Sequence, residues 1–309
     1  MRQAINGILL LDKSAGMTSN SALQKVKRLF NAKKAGHTGS LDPIATGMLP
    51  ICFGEATKFS QFLLDSDKVY LVTAKLGIET TTGDSEGDIT ATCPVEKITQ
   101  ERFTEVMRQF IGTIEQVPPM YSAIKHQGTP LYELARKGIE VERKSREIRI
   151  HSLSLENVAN DEVTFRVHCT KGTYVRTLVA DIGKVLACGA HVIQLRRLAV
   201  TPYSEAPMYT MQTLAAIMER EGQAGLQACL LPVETSVQIF PAVKLSQSAV
   251  FYLRTGQSVR ATFPIGSSLV RLMSDDSHFL GMGEVLPDGR IKPHRMLSTH
   301  EKALLADVS

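Results

Sequence analysis

Strand and helix signals alternate between residues 161 and 200, and this alternation constrains the fold more than any other feature of the sequence. The segment DEVTFRVHCT (161–170) alternates apolar and polar residues, as a half-buried β-strand does. The segment GTYVRTLVADIGKVLACG (172–189) then repeats apolar residues at helical spacing, and HVIQLRRLAV (191–200) follows as another strand. Strands joined through a helix predict a sheet that is covered by helices.

The rest of the chain extends this mixed pattern. TSNSALQKVKRLF (18–30) predicts an amphipathic helix with a basic side, and KVYLVTAKLG (68–77) predicts another strand. The composition changes over residues 118–150, which are rich in prolines, tyrosines and basic residues. We interpret this segment as an excursion, that is, an extension from the main body of the protein, with a short helix around LYELARKG. Short strands and a PDG turn beyond about residue 240 predict a small β-domain.

Composition excludes several classes of protein. The 309 residues are 43% apolar and 21% charged, which is too apolar for a disordered chain. No apolar run is long enough to cross a membrane, and the N-terminus lacks the features of a signal peptide, so we expect a cytoplasmic protein. The five cysteines are widely spaced, without C-x-x-C or a histidine at zinc-ligand spacing, and disulfides and metal are therefore not expected.

Positive charge is concentrated near the N-terminus. Residues 1–40 carry seven Lys or Arg and one acid, whereas ETTTGDSEGD (79–88) carries four acids and no base, although the net charge is only +4. A concentrated basic surface is typical of proteins that bind polyanions. A solvated helix face explains the same charges equally well.

A single acid, Asp42, stands in the glycine-rich and hydroxyl-rich loop GHTGSLDPIATGMLP (36–50). Small residues let a backbone approach a ligand, and the following proline keeps Asp42 extended, so its carboxylate can project into a cleft. An Asp in such a loop more often caps a helix or closes an Asx-turn. The loop composition alone favours that second interpretation.

Five segments carry a resemblance to a known family, and together they cover most of residues 6–200. They are NGILLLDKSAGMTS (6–19), AGHTGSLDPIATGMLPICFGEATKF (35–59), KVYLVTAKLG (68–77), KGTYVRTLVADIG (171–183) and HVIQLRRLAV (191–200). In this order they resemble the successive motifs of TruB-type tRNA pseudouridine synthases. Ser14 departs from the family pattern, which usually has proline after the lysine that corresponds to Lys13.

The resemblance implies an α+β pseudouridine synthase fold. In this fold a mixed, largely antiparallel sheet is flanked by helices around a central RNA-binding cleft, and a small PUA-like β-barrel follows. We therefore expect a catalytic domain over residues 1–245, with an RNA-binding excursion at 118–150, and a PUA-like domain over 246–309. The implied reaction converts uridine 55 in the T-loop of tRNA to pseudouridine. It is redox-neutral, so no cofactor or metal is expected, and the T-arm stem-loop of tRNA is the expected partner of a monomeric enzyme.

Two catalytic residues follow from the motif match. Asp42 aligns with the family's catalytic aspartate, which must be ionised to act as a nucleophile or base. Arg176 aligns with the arginine that pairs with this carboxylate, and a neighbouring cation favours the charged acid whereas burial opposes it. A helix-surface salt bridge is the alternative reading of Arg176.

Four further residues match the family's substrate-binding positions. His37 aligns with the histidine that takes the space vacated by the flipped nucleotide, and Tyr70 with the catalytic tyrosine that stacks on the base. Tyr174 and Leu195 align with residues that line the uracil pocket. Ordinary packing explains Tyr70, Tyr174 and Leu195 as well, and a hydrogen-bonded surface residue is the alternative for His37.

Several basic groups fit phosphate contact, among them Lys25, Lys27 and Arg28 on the first helix, and the pair Arg196 and Arg197. A non-catalytic RNA-binding or tRNA-folding protein on the same scaffold is the alternative function. A dyskerin-like synthase that depends on a guide RNA is less favoured, because the chain lacks long basic tails.

Overall fold

The computed structural model describes residues 1–95, 98–204 and 206–298. The β-strands within these ranges are β1 (Gly7–Lys13), β2 (Ala35–His37), β3 (Thr46–Phe53), β4 (Lys68–Leu76), β5 (Ile78–Thr80), β6 (Ile89–Thr92), β7 (Gly112–Gln116), β8 (Lys125–His126), β9 (Thr129–Pro130), β10 (Arg146–Ala159), β11 (Glu162–Cys169), β12 (Ala190–Val200), β13 (Ala242–Leu245), β14 (Val259–Arg260), β15 (Leu269–Ser274), β16 (Phe279–Val285) and β17 (Arg290–Met296).

The α-helices include the two that sequence periodicity predicted, within 18–30 and 172–189. Thr18 caps the first of them, because its hydroxyl accepts a hydrogen bond from the amide of Ser21 at 3.1 Å. Gly222 interrupts the longest with a positive φ of 65°. The helices are α1 (Ser19–Leu29), α2 (Ser60–Asp65), α3 (Gln100–Arg108), α4 (Leu131–Arg136), α5 (Val175–Val185), α6 (Met211–Ala228) and α7 (Gln247–Arg254).

The main sheet has eight strands in the order β1-β3-β12-β4-β11-β10-β7, with β2 paired to β3. The contact between β3 and β12 is parallel, and the other pairings in this sheet are antiparallel. The predicted mixed, largely antiparallel sheet is therefore confirmed. β4 lies between β11 and β12, so the two strands predicted at 161–170 and 191–200 both border the strand predicted at 68–77.

One face of β4 and β11 is covered by helices α3 and α5. Val72 and Phe165 turn to this face and join the main core, in which the rings of Phe103 and Phe165 lie 5.7 Å apart. The opposite face, which we call the outer face, carries Thr73, Thr164, Arg166 and His168 at alternating positions. The period-two pattern of the sequence thus separates a buried side from a partly exposed one.

A second sheet of five strands, in the order β13-β15-β16-β17-β14, lies near the C-terminus and packs around its own apolar core with α7. This is the small β-domain that the sequence predicted. The expected division between residues 245 and 246 remains a prediction, and the expected end of the second domain at residue 309 lies outside the described residues.

An aromatic cluster joins the second sheet to the main body. Phe59, which is fully buried, lies 5.5 Å from Phe279, and Phe62 lies 5.5 Å from Phe240, measured between ring centroids. Lys58 adds polar contacts, donating to the carbonyl of Met296 at 3.2 Å. These contacts attach the second sheet to the segment that directly follows β3.

The excursion at 118–150 contains the β8–β9 hairpin and α4, which confirms the short helix predicted around LYELARKG. Among the described residues, no helix combines the length and the apolar character that a membrane crossing requires.

Candidate active site

Asp42 lies in the loop of residues 38–45, here called the acid loop, which joins the antiparallel strands β2 and β3. β3, which follows the acid loop, lies very close to β12 at Gly47. A Cβ added to Gly47 would lie only 2.2 Å from the carbonyl oxygen of Arg197. Gly47 also has a φ of 96°, which residues with side chains rarely adopt. Glycine is required here for both reasons, and it keeps the acid loop close to the centre of the main sheet.

Two buried polar side chains hold the acid loop. The hydroxyl of Ser19, at the start of α1, accepts a hydrogen bond from the Leu41 amide at 2.7 Å. Lys13, at the end of β1, donates to backbone carbonyls that include Pro43 at 3.3 Å. Burial lowers the pKa of Lys13 to about 8, and the charge of Asp42 opposes this shift. In the sequence Lys13 contributes to the local positive charge and lies in the segment 6–19, and neither fact predicted this role.

Arg176 pairs with Asp42 through two contacts. The Nε of Arg176 lies 2.9 Å from Oδ2 of Asp42, and its Nη2 donates to Oδ1 at 3.4 Å. Arg176 stands in the first turn of α5 with its side chain only 5% exposed, so it is not a helix-surface salt bridge. The two N–H groups of the guanidinium fix the orientation of the carboxylate, and its positive charge favours the ionised form.

Asp84 is the residue at this site that sequence reasoning missed. Its Oδ2 lies 3.5 Å from Nη1 of Arg176, and the side chain is buried. The hydroxyl of Thr82 donates to Asp84 at 2.5 Å, and the amide of Glu86 donates at 3.1 Å. Asp84 was counted only within an acidic stretch, and no local signal distinguished it from the other acids there.

Two backbone carbonyls complete the surroundings of Arg176. It donates to the carbonyl of Thr82 at 2.7 Å and to the carbonyl of Tyr121 at 2.6 Å. Arg176 therefore connects the acid loop, the segment bearing Asp84 and the start of the excursion.

Burial raises the pKa of the Asp42 carboxyl above its ordinary value, and Arg176 offsets part of that rise, whereas the nearby charge of Asp84 adds to it. The side chain of Asp42 is still 37% exposed, so one side of the carboxylate is open to solvent. An ionised carboxylate whose pKa is raised is a stronger base and nucleophile than an ordinary one. The arrangement thus provides a reactive anion that a ligand can reach.

Tyr70 and Leu195 lie on the helix-covered face of the main sheet. Tyr70 on β4 is paired with Arg197 on β12, and Leu195 is paired with Val72. Leu195 is buried in the main core, and Tyr70 packs partly buried against it. Burial raises the pKa of the Tyr70 phenol, Arg197 opposes that shift, and the charge of Asp42 adds to it.

Tyr174 and His37 border the same site. Tyr174 directly precedes α5, and the amide side chain of Gln116 holds its backbone through bonds of 2.7 and 3.1 Å. Burial raises the pKa of its phenol, with Asp42 among the charges that act on it. His37 ends β2, and burial and the charge of Arg197 lower its pKa. Its buried Nδ1 has no hydrogen-bond partner among the described residues.

The suggested phosphate contact of Arg197 is wrong. Arg197 is 1% exposed and donates to the backbone carbonyls of Met48 at 2.7 Å and Gly39 at 3.1 Å, so it holds the backbone on either side of Asp42. Arg196 makes a bidentate pair with Asp12 at 2.7 and 2.9 Å, and its side chain is 37% exposed. A phosphate contact of Arg196 therefore stays a prediction.

Three family models match consecutive parts of the chain. "TruB family pseudouridylate synthase (N terminal domain)" matches residues 27–175, "tRNA pseudouridylate synthase B C-terminal domain" matches 176–238, and "Pseudouridine synthase II TruB, C-terminal" matches 241–297. The chain is 53% identical over 296 residues to the tRNA pseudouridine synthase B of Coxiella burnetii (strain RSA 331 / Henzerling II), covering 96% of both chains. It is 49% identical over 310 residues to the protein of the same name from Shewanella sp. (strain W3-18-1), covering 98% of this chain and 97% of that one.

Solved structures resemble the fold as well. A chain in the crystal structure of a Cbf5–Nop10–Gar1 complex has a TM-score of 0.72 and 26% identity, covering 91% of this chain and 78% of that one. A chain of an H/ACA RNP bound to a substrate RNA containing 2′-deoxyuridine has a TM-score of 0.73 and 23% identity, covering 96% of this chain and 86% of that one. At that identity the second likeness shows the fold alone.

Proposed function

The chain belongs to the TruB family of pseudouridylate synthases, and from this premise we propose that it converts one uridine of tRNA, position 55 in the T-loop, into pseudouridine. The relatives that share about half of its residues carry the name tRNA pseudouridine synthase B. The substrate, the target position and the residue roles below are parts of this proposal.

The pairing of Asp42 with Arg176 is the observation that carries the proposal. A buried guanidinium holds the carboxylate at 2.9 Å, and the carboxylate remains partly exposed. A protein that only binds RNA gains nothing from an acid facing phosphates, because like charges repel. An enzyme that must act on a nucleotide needs such an oriented anion, so this geometry favours catalysis over RNA folding alone.

The target base is stacked inside a folded RNA arm and must first be flipped out, at a cost of about a few kcal/mol. In the proposal His37 takes part in this step by occupying the space that the base leaves. The position of His37 supports this role, because it ends β2 directly before the acid loop and its side chain is only partly buried.

Asp42 then acts on the flipped nucleotide as a nucleophile or base. The bond between uracil N1 and the ribose C1′ breaks, the base turns, and a bond between C5 and C1′ forms. The proton lost from C5 is balanced by the proton gained at N1, so the reaction consumes no oxidant, reductant or water. This balance is the reason for proposing that it proceeds without a cofactor or metal.

The detached uracil must be held while it turns. We propose that Tyr70 stacks on the uracil and assists removal of the proton from C5. Tyr174 and Leu195 form the wall of the pocket. Two contacts support a common site: Tyr70 is paired with Arg197, which holds the backbone on either side of Asp42, and Tyr174 directly precedes the turn of α5 that bears Arg176. An apolar wall with a few polar contacts suits a small planar ligand.

The exposed bases of α1, Lys25 and Arg28, and the excursion are assigned to the RNA backbone. The protein is proposed to act as a cytoplasmic monomer on the T-arm stem-loop of tRNA. Sedimentation of the enzyme with the stem-loop gives the stoichiometry, for which one chain per RNA is expected.

A stem-loop assay tests the proposal. The purified chain is incubated with a T-arm stem-loop bearing uridine at the target site, and a chemical label specific for pseudouridine reads the product, because substrate and product have equal mass. Conversion at that one uridine is expected, with no conversion in an unrelated hairpin of equal length. Failure to convert the T-arm stem-loop contradicts the proposed substrate.

A further inference from the structure

Two histidines and an aspartate form a cluster on the outer face of the main sheet. Nε2 of His151 lies 3.0 Å from Oδ2 of Asp67, and the rings of His151 and His168 are 4.6 Å apart between centroids. One potential ligand atom from each of the three side chains lies within 4.8 Å of the other two. Tyr70 turns to the opposite, helix-covered face, so this cluster is separate from the site around Asp42.

An irregularity in the sheet creates the cluster. The register between β10 and β11 shifts between Ile150 and Ser152, so that His151 is an extra residue in its strand. Ile150 is buried in the core, whereas His151 and Ser152 are both exposed. The bulge therefore directs His151 to the face that carries His168, which is paired with Ser152. Bulges of this kind occur preferentially where a side chain must be redirected.

Neighbouring cations are already engaged. The ammonium of Lys171 contacts Asp65 at 2.8 Å. The ammonium of Lys68 donates to the carbonyls of Leu63 at 3.1 Å and Leu64 at 2.7 Å. The carboxylate of Asp67 is therefore available to a further cation.

We propose that Asp67, His151 and His168 bind a divalent first-row transition-metal ion, with Zn²⁺ as the best match. Two imidazoles and one carboxylate are ligands that Zn²⁺ uses in proteins, and three protein ligands leave a fourth position for water. Zinc bonds of about 2.0–2.1 Å place tetrahedral ligand atoms roughly 3.3 Å apart. Rotation of partly exposed side chains closes the difference from 4.8 Å.

The bound ion would act as a structural clip. Its ligands come from β10, from β11 and from the residue that precedes β4, so it would cross-link three adjacent strands. β4 carries Tyr70, and β10 carries the chain back from the excursion into the sheet.

The chain offers a matched control in the second sheet. Nδ1 of His278 lies 2.8 Å from Oδ2 of Asp276, which reproduces the histidine–carboxylate contact. Among the described residues, three candidate ligand side chains meet around His151, whereas His278 and Asp276 have no third one beside them. A variant of His278 therefore removes an equivalent pair without touching the proposed site.

The test measures metal binding by tag-free protein that has been stripped with a chelator. Cys93 has an exposed thiol, so Cys93→Ser is present in every sample. Co²⁺ absorption and Zn²⁺ calorimetry are expected to show one ion per chain, with imidazole ligation and an affinity that falls on acidification because protons compete for the ligands. Loss of a residue that only hydrogen-bonds a metal ligand lowers metal affinity by about tenfold or more, and loss of the ligand itself should cost at least as much. His151→Gln and His168→Gln should therefore each weaken binding by more than about tenfold.

The control His278→Gln is expected to bind the ion as the parent protein does, and thermal melts confirm that each variant is folded. The proposal is overturned if the parent binds no ion at one-to-one stoichiometry. It is also overturned if His151→Gln and His168→Gln retain the parent's affinity.

Discussion

Replacing Arg176 by methionine tests how the guanidinium and Asp42 act together. Arg176→Met keeps a long side chain in α5 but removes the charge that contacts Asp42 at 2.9 Å. Removing one partner of a buried ion pair costs about 3–5 kcal/mol. Because Asp42 is 37% exposed and solvent screens part of its charge, we take the lower limit of about 3 kcal/mol. The same loss in the transition state lowers kcat/KM by roughly a hundredfold.

The pH dependence separates an electrostatic effect from simple structural damage. Arg176 opposes the effect of burial on Asp42, so its removal raises the pKa of the Asp42 carboxyl further. Ionised Asp42 is the reactive form in the proposed mechanism. The acid limb of kcat/KM should therefore move to higher pH in Arg176→Met, and the loss of activity should shrink as the pH rises.

The assay is conversion of the T-arm stem-loop, measured between about pH 5 and 9 to cover this limb. Arg176→Lys, which restores a positive charge, is expected to recover part of the activity. Arg166→Met is the matched control, because Arg166 pairs with Glu156 at 3.2 Å on the outer face, and its activity should equal that of the parent. A deficit of the same size at every pH, or an acid limb displaced to lower pH, refutes the reasoning.

Three further substitutions probe the surroundings of the site. Asp84→Asn removes a charge that raises the pKa of Asp42, so the acid limb of the pH profile of kcat/KM should move to lower pH, in the direction opposite to Arg176→Met. An unchanged acid limb contradicts an effect of Asp84 on Asp42. Arg197→Met removes the side-chain donor to the carbonyls of Met48 and Gly39, which lie on either side of Asp42. A hydrogen bond to a charged group is worth about 1.5–3 kcal/mol, so urea unfolding should show a loss of stability of at least one such bond, and unchanged stability contradicts the assigned role. Phe59→Ala should lower the free energy of unfolding by about 3–5 kcal/mol and increase hydrogen exchange in residues 279–296. Unchanged exchange there would show that the aromatic cluster does not hold the second sheet.

Periodicity was sufficient to predict the regular elements that build the site. The apolar stripe of 172–189 and the alternation in 68–77, 161–170 and 191–200 correspond to α5, β4, β11 and β12. These patterns are local, since each reflects which side of one element is buried. The motif resemblance then indicated the candidate site residues, and the structure places Arg176 beside Asp42.

The contacts that depend on three-dimensional neighbours were not predictable in the same way. Asp84 reaches Arg176 because its segment is hydrogen-bonded to Val192 of β12, and nothing in the local sequence encodes that pairing. Alternation in 191–200 does place Arg197 on the same face as Leu195, and this signal could have excluded Arg197 from phosphate contact. The expectation of no metal relied on local spacing, which carries no information about Asp67, His151 and His168 on separate strands.

The most direct test of the central claim is the conversion of the T-arm stem-loop by Asp42→Asn. The amide keeps the size of the side chain but cannot act as an anionic nucleophile or base. Binding of the stem-loop, followed by filter retention, should remain within a few-fold of the parent, and labelling should detect no pseudouridine. Formation of pseudouridine by Asp42→Asn at the parent's rate would contradict the account.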